Sequence, residues 1–569
     1  MHSMKKMKSH IRTRAQESTG AIERLYITMR HLFNRGFYKP MGVSGESLRE
    51  SLLILQPEIY GSIKDEKIEL QGLLYVMDRL PEGIEECRFI NLTSDEGYKD
   101  SHFEPIIPMK RRRNCYRIDS EQMNIEVTRG RSEIYDILTH VTFLFIESHK
   151  IMKQVLVNEN GELIRDWKKL EQTVQKKGKL TQEEKEVTLT HTANFLGRTF
   201  EEVKNVYPYF ATEKSENRFF NIIYFLGKLA IDEVLEDRQR LITFSPVLRE
   251  RLGHHIHGEQ WAYRIKQTLQ KEDLLERPLH IISANMHSVM NSLYAQKALP
   301  TEFSKKKSMQ IFEALSSPTS LKMREKVSKL ALSEGMIFLA DQSGTNIDVQ
   351  IIDSAKIKKN DYTEGLKDLD NSQKPVIIVM DYAFGEQAYE TMDELLKPFV
   401  DENNDSHFLD VASVSIMGKA GILEGGKGDI MIPSAHVFEG TADNYPFENE
   451  LEKSLFNDDD VKVCTGTMIS VLGTSLQNRD VLKFFHNSTW NVIGLEMEGA
   501  HYQKAIQAAS KIRRSISPNV KVRYAYYASD NPLETGSTLA SGGLGTTGVK
   551  PTYLITEKML KQILDTSKK

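Results

Sequence analysis

The chain has 569 residues, 40% of them hydrophobic and 27% charged, with a formal net charge of −4. That length suits roughly two to four domains of about 150 residues each, and the balanced charge gives no electrostatic push towards nucleic acid or an acidic membrane. No run approaches the roughly 18 to 20 apolar residues of a membrane span, and no apolar core follows the basic N-terminus to make a secretory signal. Cys87, Cys115 and Cys464 are too scattered for a disulfide scaffold or a cysteine zinc site, so a cytoplasmic multidomain protein is expected.

Residues 1–275 read as a mainly helical domain, with apolar residues at helical spacing in SEIYDILTHVTFLFIESHKIMKQVL and NRFFNIIYFLGKLAIDEVLEDR. Residues 276–334 read as a helical connector that opens with a short strand, Leu279 to Ala284. From residue 335 to 569 the texture changes. Short apolar runs (MIFLAD, DVQII, PVIIVMD, VASVSIMG, DIMIPSAHV, VKVCTGTMIS, NVIGLEME, VRYAYYAS) alternate with helical segments and end in glycines. This is the pattern of an α/β layered sheet, in which ligands sit outside the carboxyl ends of the strands.

Three strand ends carry unusual residues. The first, Gly418-Lys419-Ala420-Gly421, combines small residues with a lysine, which suits an anion at backbone N–H groups, although such turns are commonly structural. The second places Glu496 and Glu498 one residue apart at the mouth of a buried strand, where alternation puts both on one face. Like charges there repel and desolvate at a cost, so either a basic neighbour such as Arg523 or Lys504 pairs with one, or a carboxylate accepts hydrogen bonds from vicinal hydroxyls. The third ends a strand in Ser529-Asp530, either a turn-forming pair or a carboxyl group able to protonate a leaving group.

Together these segments resemble the nucleoside phosphorylase and nucleosidase superfamily, and within it AMP nucleosidase-like proteins. GLEMEG is similar to the family's ribose-binding segment and the Ser-Asp of YYASDNP to its purine-binding pair. Gly418-Lys419-Ala420-Gly421, Gly428-Asp429-Ile430, Gly440-Thr441-Ala442-Asp443-Asn444-Tyr445 and Thr465-Gly466-Thr467-Met468 add to the likeness, which covers about residues 335 to 569. The resemblance implies an α/β fold: a three-layer α/β/α nucleoside phosphorylase-like domain, here preceded by the mainly α-helical one. It implies that Glu498 holds the ribose 2′- and 3′-hydroxyls, Met497 packs by the sugar and Glu496 stands behind them. Asp530, positioned by Ser529, would protonate or hydrogen-bond purine N7. Lys419, with N–H groups of the Gly418–Gly421 turn, would hold a 5′-phosphate, and Thr467 and Met468 would line the base pocket. No metal or organic cofactor is needed for that chemistry. The implied activity is hydrolysis of a purine nucleotide or nucleoside by a homo-oligomer. Phosphorolysis by inorganic phosphate and a non-catalytic nucleotide sensor are the rival readings.

Other features are open to simpler explanations. Glu386 follows PVIIVMD where relatives have a glycine-rich anion loop; it is a candidate to activate water, or an acid favoured at a helix N-terminus. The tail Thr535 to Gly548 is a candidate lid, with Lys550 a second phosphate ligand. His254, His255 and His257 lack the i, i+4 pair and glutamate of a zinc-protease helix and read as surface or interface histidines. Lys110-Arg111-Arg112-Arg113 reads as a solvated loop, and His287 as a buried, hydrogen-bonded histidine.

Overall fold

The computed structural model describes residues 13–565 apart from 112, 177, 359–360, 367–371, 442, 458–460 and 535–544. Ala442, most of the candidate lid and Arg112 therefore lie outside the described residues. The N-terminal half holds a five-stranded sheet that its helical texture does not announce. Phe37–Tyr38 (β1), Phe89–Thr93 (β2), Cys115–Arg117 (β3), Gln122–Glu126 (β4) and Leu241–Phe244 (β5) pair in the order β1-β5-β2-β4-β3, with β5, β2 and β4 parallel. These strands are short and carry polar residues, so no long apolar run marks them. The helix Gly130–Val155 is buried along most of its length, which is why its sequence is apolar on nearly every face.

The larger sheet has ten strands. In chain order its members are Leu279–Ser283 (β6), Met336–Leu339 (β7), Val349–Asp353 (β8) and Val376–Met380 (β9). A small ribbon, Phe399–Val400 (β10) with Ser406–His407 (β11), stands apart. Val411–Ile422 (β12), Ile430–Phe438 (β13), Asn444–Pro446 (β14), Val463–Ser470 (β15), Val492–Glu496 (β16) and Lys521–Asp530 (β17) complete the sheet. Its strand β9 is apolar without a break because both faces are covered. In β9, Val376, Ile378 and Met380 meet Trp261, Ile265 and Met392, while Ile377 and Val379 meet Leu293, Phe312 and Leu560. The result is a three-layer α/β/α arrangement.

The boundaries differ from the sequence reading. β6, from the segment read as a connector, lies between β12 and β9 in the sheet, and the helix Ile256–Lys271, from the segment read as the N-terminal domain, covers one face. A single five-residue strand gives too weak a periodic signal to reveal a central position. The halves are also joined, since Phe438, Leu472, Leu476 and Ala500 pack into the N-terminal core.

Part of the sheet closes on itself. β12 pairs with β16, β16 with β15, β15 with β13, β13 with β17, and β17 with β12. Gly494 faces this crowded region: a β-carbon there would touch the Met431 sulfur and lie 2.6 Å from the Gly421 carbonyl oxygen. Gly494→Ala is therefore expected to destabilise the fold by about 1–3 kcal/mol, as overpacking does. Gly426→Ala, where a β-carbon meets nothing within 4 Å, is the matched control. Equal unfolding midpoints for the two variants in urea would contradict this packing.

Candidate functional site

Strand β16 ends at Glu496, and the chain turns at once into the helix Gly499–Gln507. Strand alternation therefore stops before Glu498, and the two carboxylates part company. Glu496 is buried and accepts hydrogen bonds from the Ser470 hydroxyl and from the N–H groups of Glu498 and Gly499. It serves the first, otherwise unpaired N–H groups of the turn into the helix. Glu498 instead accepts the Gly385 N–H at 2.9 Å and faces a cavity of ≈ 150 Å³. Neither basic neighbour considered from the sequence pairs with them. Arg523 donates to Gln562 at 2.6 Å, and Lys504 lies over the Tyr389 ring.

Both acids are held partly in their neutral forms. Burial, and then the charge of Glu498, pushes Glu496 up to about 8. Burial pushes Glu498 up to about 7, against the pull of the Gly385 and Met497 N–H groups and of Arg111.

The Glu498 cavity is also lined by Gly418, Lys419, Tyr382, Tyr502 and Tyr526. Lys419 is exposed and also lines a second cavity, of ≈ 570 Å³, so the two meet at its side chain. Among the described residues no acidic side chain lines the larger cavity, which holds Arg324, His287 and Asn291 besides Lys419. The first turns of the helices Met286–Ala298 and Val549–Leu564 also open onto it, and helix N-termini favour anions. His287 is thus exposed on a cavity wall rather than buried.

Asp530 ends β17, beside Gly421 of β12, which is itself beside Leu495 of β16. The Ser529 hydroxyl lies between the Ala420 carbonyl, at 3.1 Å, and Asp530 Oδ1. Oδ2 is buried and has no hydrogen-bond partner among the described residues. Burial raises the Asp530 pKa, while Ser529 and the charges of Lys419 and Lys427 lower it. Lys419 therefore links the two acids: it lines the cavity of Glu498, and its charge acts on Asp530.

Other expected residues lie elsewhere. Glu386 is turned towards the helix Gly130–Val155, with the Tyr135 hydroxyl at 3.4 Å and Arg131 at 3.6 Å, and it lines a separate cavity with Arg30, His501 and Lys504. The water-activating role assigned to it is not supported by that direction. Met468 is fully buried in the sheet core, its sulfur against Gly494, and Thr467 lines neither of the two cavities that meet at Lys419. Met497 is buried, its methyl group 3.8 Å from where a Gly385 β-carbon would lie. Lys550 lies on the first turn of Val549–Leu564. His257 bonds Ser94 at 3.2 Å, and His255 approaches Glu394 at 3.8 Å, but Lys397 and Arg513 already pair with Glu394 and Asp393.

The basic run contributes what the sequence reading missed. Arg113 is buried and pairs with Glu133 at 3.3 Å. Arg111 pairs with Asp136 at 3.3 Å, donates to Thr474 at 3.3 Å and lies over the Phe384 ring at 4.7 Å. Its only signal in the sequence is a cluster of cations close to a strand.

The raised pKa of Glu496 has a consequence for stability. A buried carboxyl that stays protonated while its unfolded counterpart ionises stabilises the fold at low pH, and this is lost as pH rises through its folded value. Glu496→Gln should therefore lose less thermal stability than the parent chain between about pH 5 and pH 8, over which wild-type Glu496 ionises only at cost. Calorimetric Tm values across that range check it; parallel curves for the two proteins would contradict the burial argument.

No curated protein matches the chain. Among solved structures it is similar to a futalosine hydrolase mutant of Helicobacter pylori strain 26695, at 13% identity and a TM-score of 0.29, over 50% of this chain and 98% of that one. It is similar to the Campylobacter jejuni 5′-methylthioadenosine/S-adenosyl homocysteine nucleosidase, at 11% identity and a TM-score of 0.29, over 50% and 99%. Isoform 2 of uridine phosphorylase from Schistosoma mansoni is matched at 13% identity and a TM-score of 0.29, over 50% and 90%. A family model matches residues 46–302 and 308–565, and the chain belongs to that family, described as a family of unknown function (DUF6909).

Proposed function

We propose that the chain cleaves the N-glycosidic bond of a purine nucleotide or nucleoside, with water as the nucleophile. The observation that carries this is a half-buried acid, Glu498, and a buried one, Asp530, linked by Lys419. Glu498 faces a small cavity, and Asp530 presents an unpartnered oxygen at the neighbouring strand end.

In this reading ionised Glu498 accepts hydrogen bonds from the ribose 2′- and 3′-hydroxyls. Asp530, whose burial favours its protonated form, donates that proton to purine N7 as the C1′–N9 bond breaks and its electron pair passes to the base. The sugar becomes oxocarbenium-like, and the Glu498 carboxylate favours that cationic state electrostatically. Water then adds to C1′, and its proton goes back to Asp530. The 5′-phosphate of a nucleotide would lie by Lys419, where the acid-free cavity and two helix N-termini begin. The same cavity also suits inorganic phosphate, which keeps phosphorolysis as the second reading. Assembly into a homo-oligomer is part of the proposal.

The test is chromatographic. Free base is quantified after incubation with AMP, adenosine, GMP, IMP and methylthioadenosine, with and without phosphate. Base released from AMP without phosphate supports hydrolysis, and a strict need for phosphate makes the chain a phosphorylase. Tight binding without turnover makes it a sensor. Asp530→Asn is expected to lower kcat by about 10²–10⁴-fold while leaving binding largely intact. Full activity in that variant would exclude the mechanism.

A further inference from the structure

The N–H that holds Glu498 belongs to a loop clamped by the other half of the molecule. Gly385 has φ +55°, and a β-carbon on it would collide with the Ser132 hydroxyl. That hydroxyl, buried in the first turn of Gly130–Val155, accepts the Glu386 N–H at 2.8 Å. The Glu386 carboxylate is held by Tyr135 and Arg131 of the same helix. Next to Gly385, Phe384 packs against the apolar cluster that includes Met497 and carries Arg111 over its ring. Arg111 is itself fixed by Asp136, on the helix, and by Thr474, in the loop after β15. Ser132, Tyr135, Arg131 and Arg111 thus tie the loop around Gly385 to the N-terminal half.

We propose that the N-terminal half is a working part of the site: Ser132 and Arg111 are positioning residues that fix the Phe384–Gly385–Glu386 loop, and through the Gly385 N–H they set the orientation and charge of Glu498. The proposal rests on the reading of Glu498 as the ribose-binding carboxylate. The role of Ser132 is geometric, since it places two successive N–H groups, one on itself and one on Glu498. The role of Arg111 is geometric and electrostatic, since its charge favours ionised Glu498. The other groups facing Glu498 are Glu496 behind it, Lys419 across the cavity, and Tyr382, Tyr502 and Tyr526 on the walls. The charge of Glu498 acts against ionisation of Glu496, while burial opposes ionisation of Glu498 and Arg111 favours it.

Two measurements on the full chain test this. The first is amide exchange followed by mass spectrometry, which needs no turnover. In Ser132→Ala the segment containing Gly385 and Glu386 should exchange about tenfold faster, the effect of one lost hydrogen bond, while the rest of the chain exchanges as before. Unchanged exchange in that segment, or faster exchange throughout, would overturn the positioning role. The second is the pH profile of kcat/KM for base release. Arg111→Gln should move the acidic limb, on which Glu498 ionises, upward by roughly half a pH unit. Arg111→Lys, which keeps the charge, should return it most of the way. Coincident limbs in the parent chain and Arg111→Gln would refute the electrostatic part. Absence of base release by the parent chain would defeat the glycosidase reading alone, and the exchange experiment would still decide whether the N-terminal half holds the loop.

Discussion

Strand β12 runs for twelve residues, and β6 lies beside only its first part. Beyond Ile416 the same edge is taken over by β16 in the opposite direction, and the other edge is followed by β17 to its end. Because β17 then turns to pair with β13, the five strands close, and the ends of β16 and β17 are brought to the two sides of Gly421. Glu498 and Asp530 are separated by a helix in sequence, and this closure makes them neighbours of one lysine. The absence of a side chain at Gly494 lets its backbone come close to the Gly421 carbonyl. Whatever the site binds, its acids stand where they do because the ring closes.

A fold has little reason to gather two buried carboxyl groups, Glu496 and Asp530, and a half-buried one, Glu498, in one region unless their charge is used. Glu496 is accounted for by structure, since its oxygens serve the N–H groups of a turn that would otherwise lack partners. Glu498 and Asp530 are not accounted for in that way. One leans on the N–H groups of Gly385 and Met497 and faces a cavity; the other leaves an oxygen with no partner among the described residues. Perturbed, incompletely paired acids in a cleft are where acid–base chemistry is expected. Burial opposes ionisation of both, offset at Glu498 by the Gly385 and Met497 N–H groups and Arg111, and at Asp530 by Ser529, Lys419 and Lys427.

Much of the C-terminal half was legible in the sequence, and for a plain reason. Strands covered on both faces, such as Val376–Met380, have no polar residues to obscure them, and glycines mark where they end. The Glu498 and Asp530 positions could be picked out because charged residues at the ends of such runs are conspicuous, whereas Lys419, read as part of a turn, lies inside β12, which continues to Ile422. What could not be read was direction. Two residues of spacing put Glu496 and Glu498 on one face only while the strand lasts, and it ends at Glu496. Glu386 lies next to the residue that holds Glu498, yet its own side chain points away, towards a helix more than two hundred residues earlier in the chain. Met468 looked like a pocket residue because it sits in a matching motif, but its strand faces it into the core. The small N-terminal sheet escaped because strands of two to five residues carry almost no periodicity. Arg111 escaped because nothing local tells a solvated basic run from one that reaches across to another part of the fold.

The central claim is that Glu498 and Asp530 act on the two ends of one ligand, a ribose and a purine. A crystal structure of the full chain with a purine C-nucleoside monophosphate, whose carbon–carbon glycosidic bond resists cleavage, tests this directly. The account predicts ribose hydroxyls within hydrogen-bond distance of the Glu498 carboxylate, the base edge against the free oxygen of Asp530, and the phosphate by Lys419. A ligand bound elsewhere, with Glu498 still facing an unfilled cavity, would contradict it.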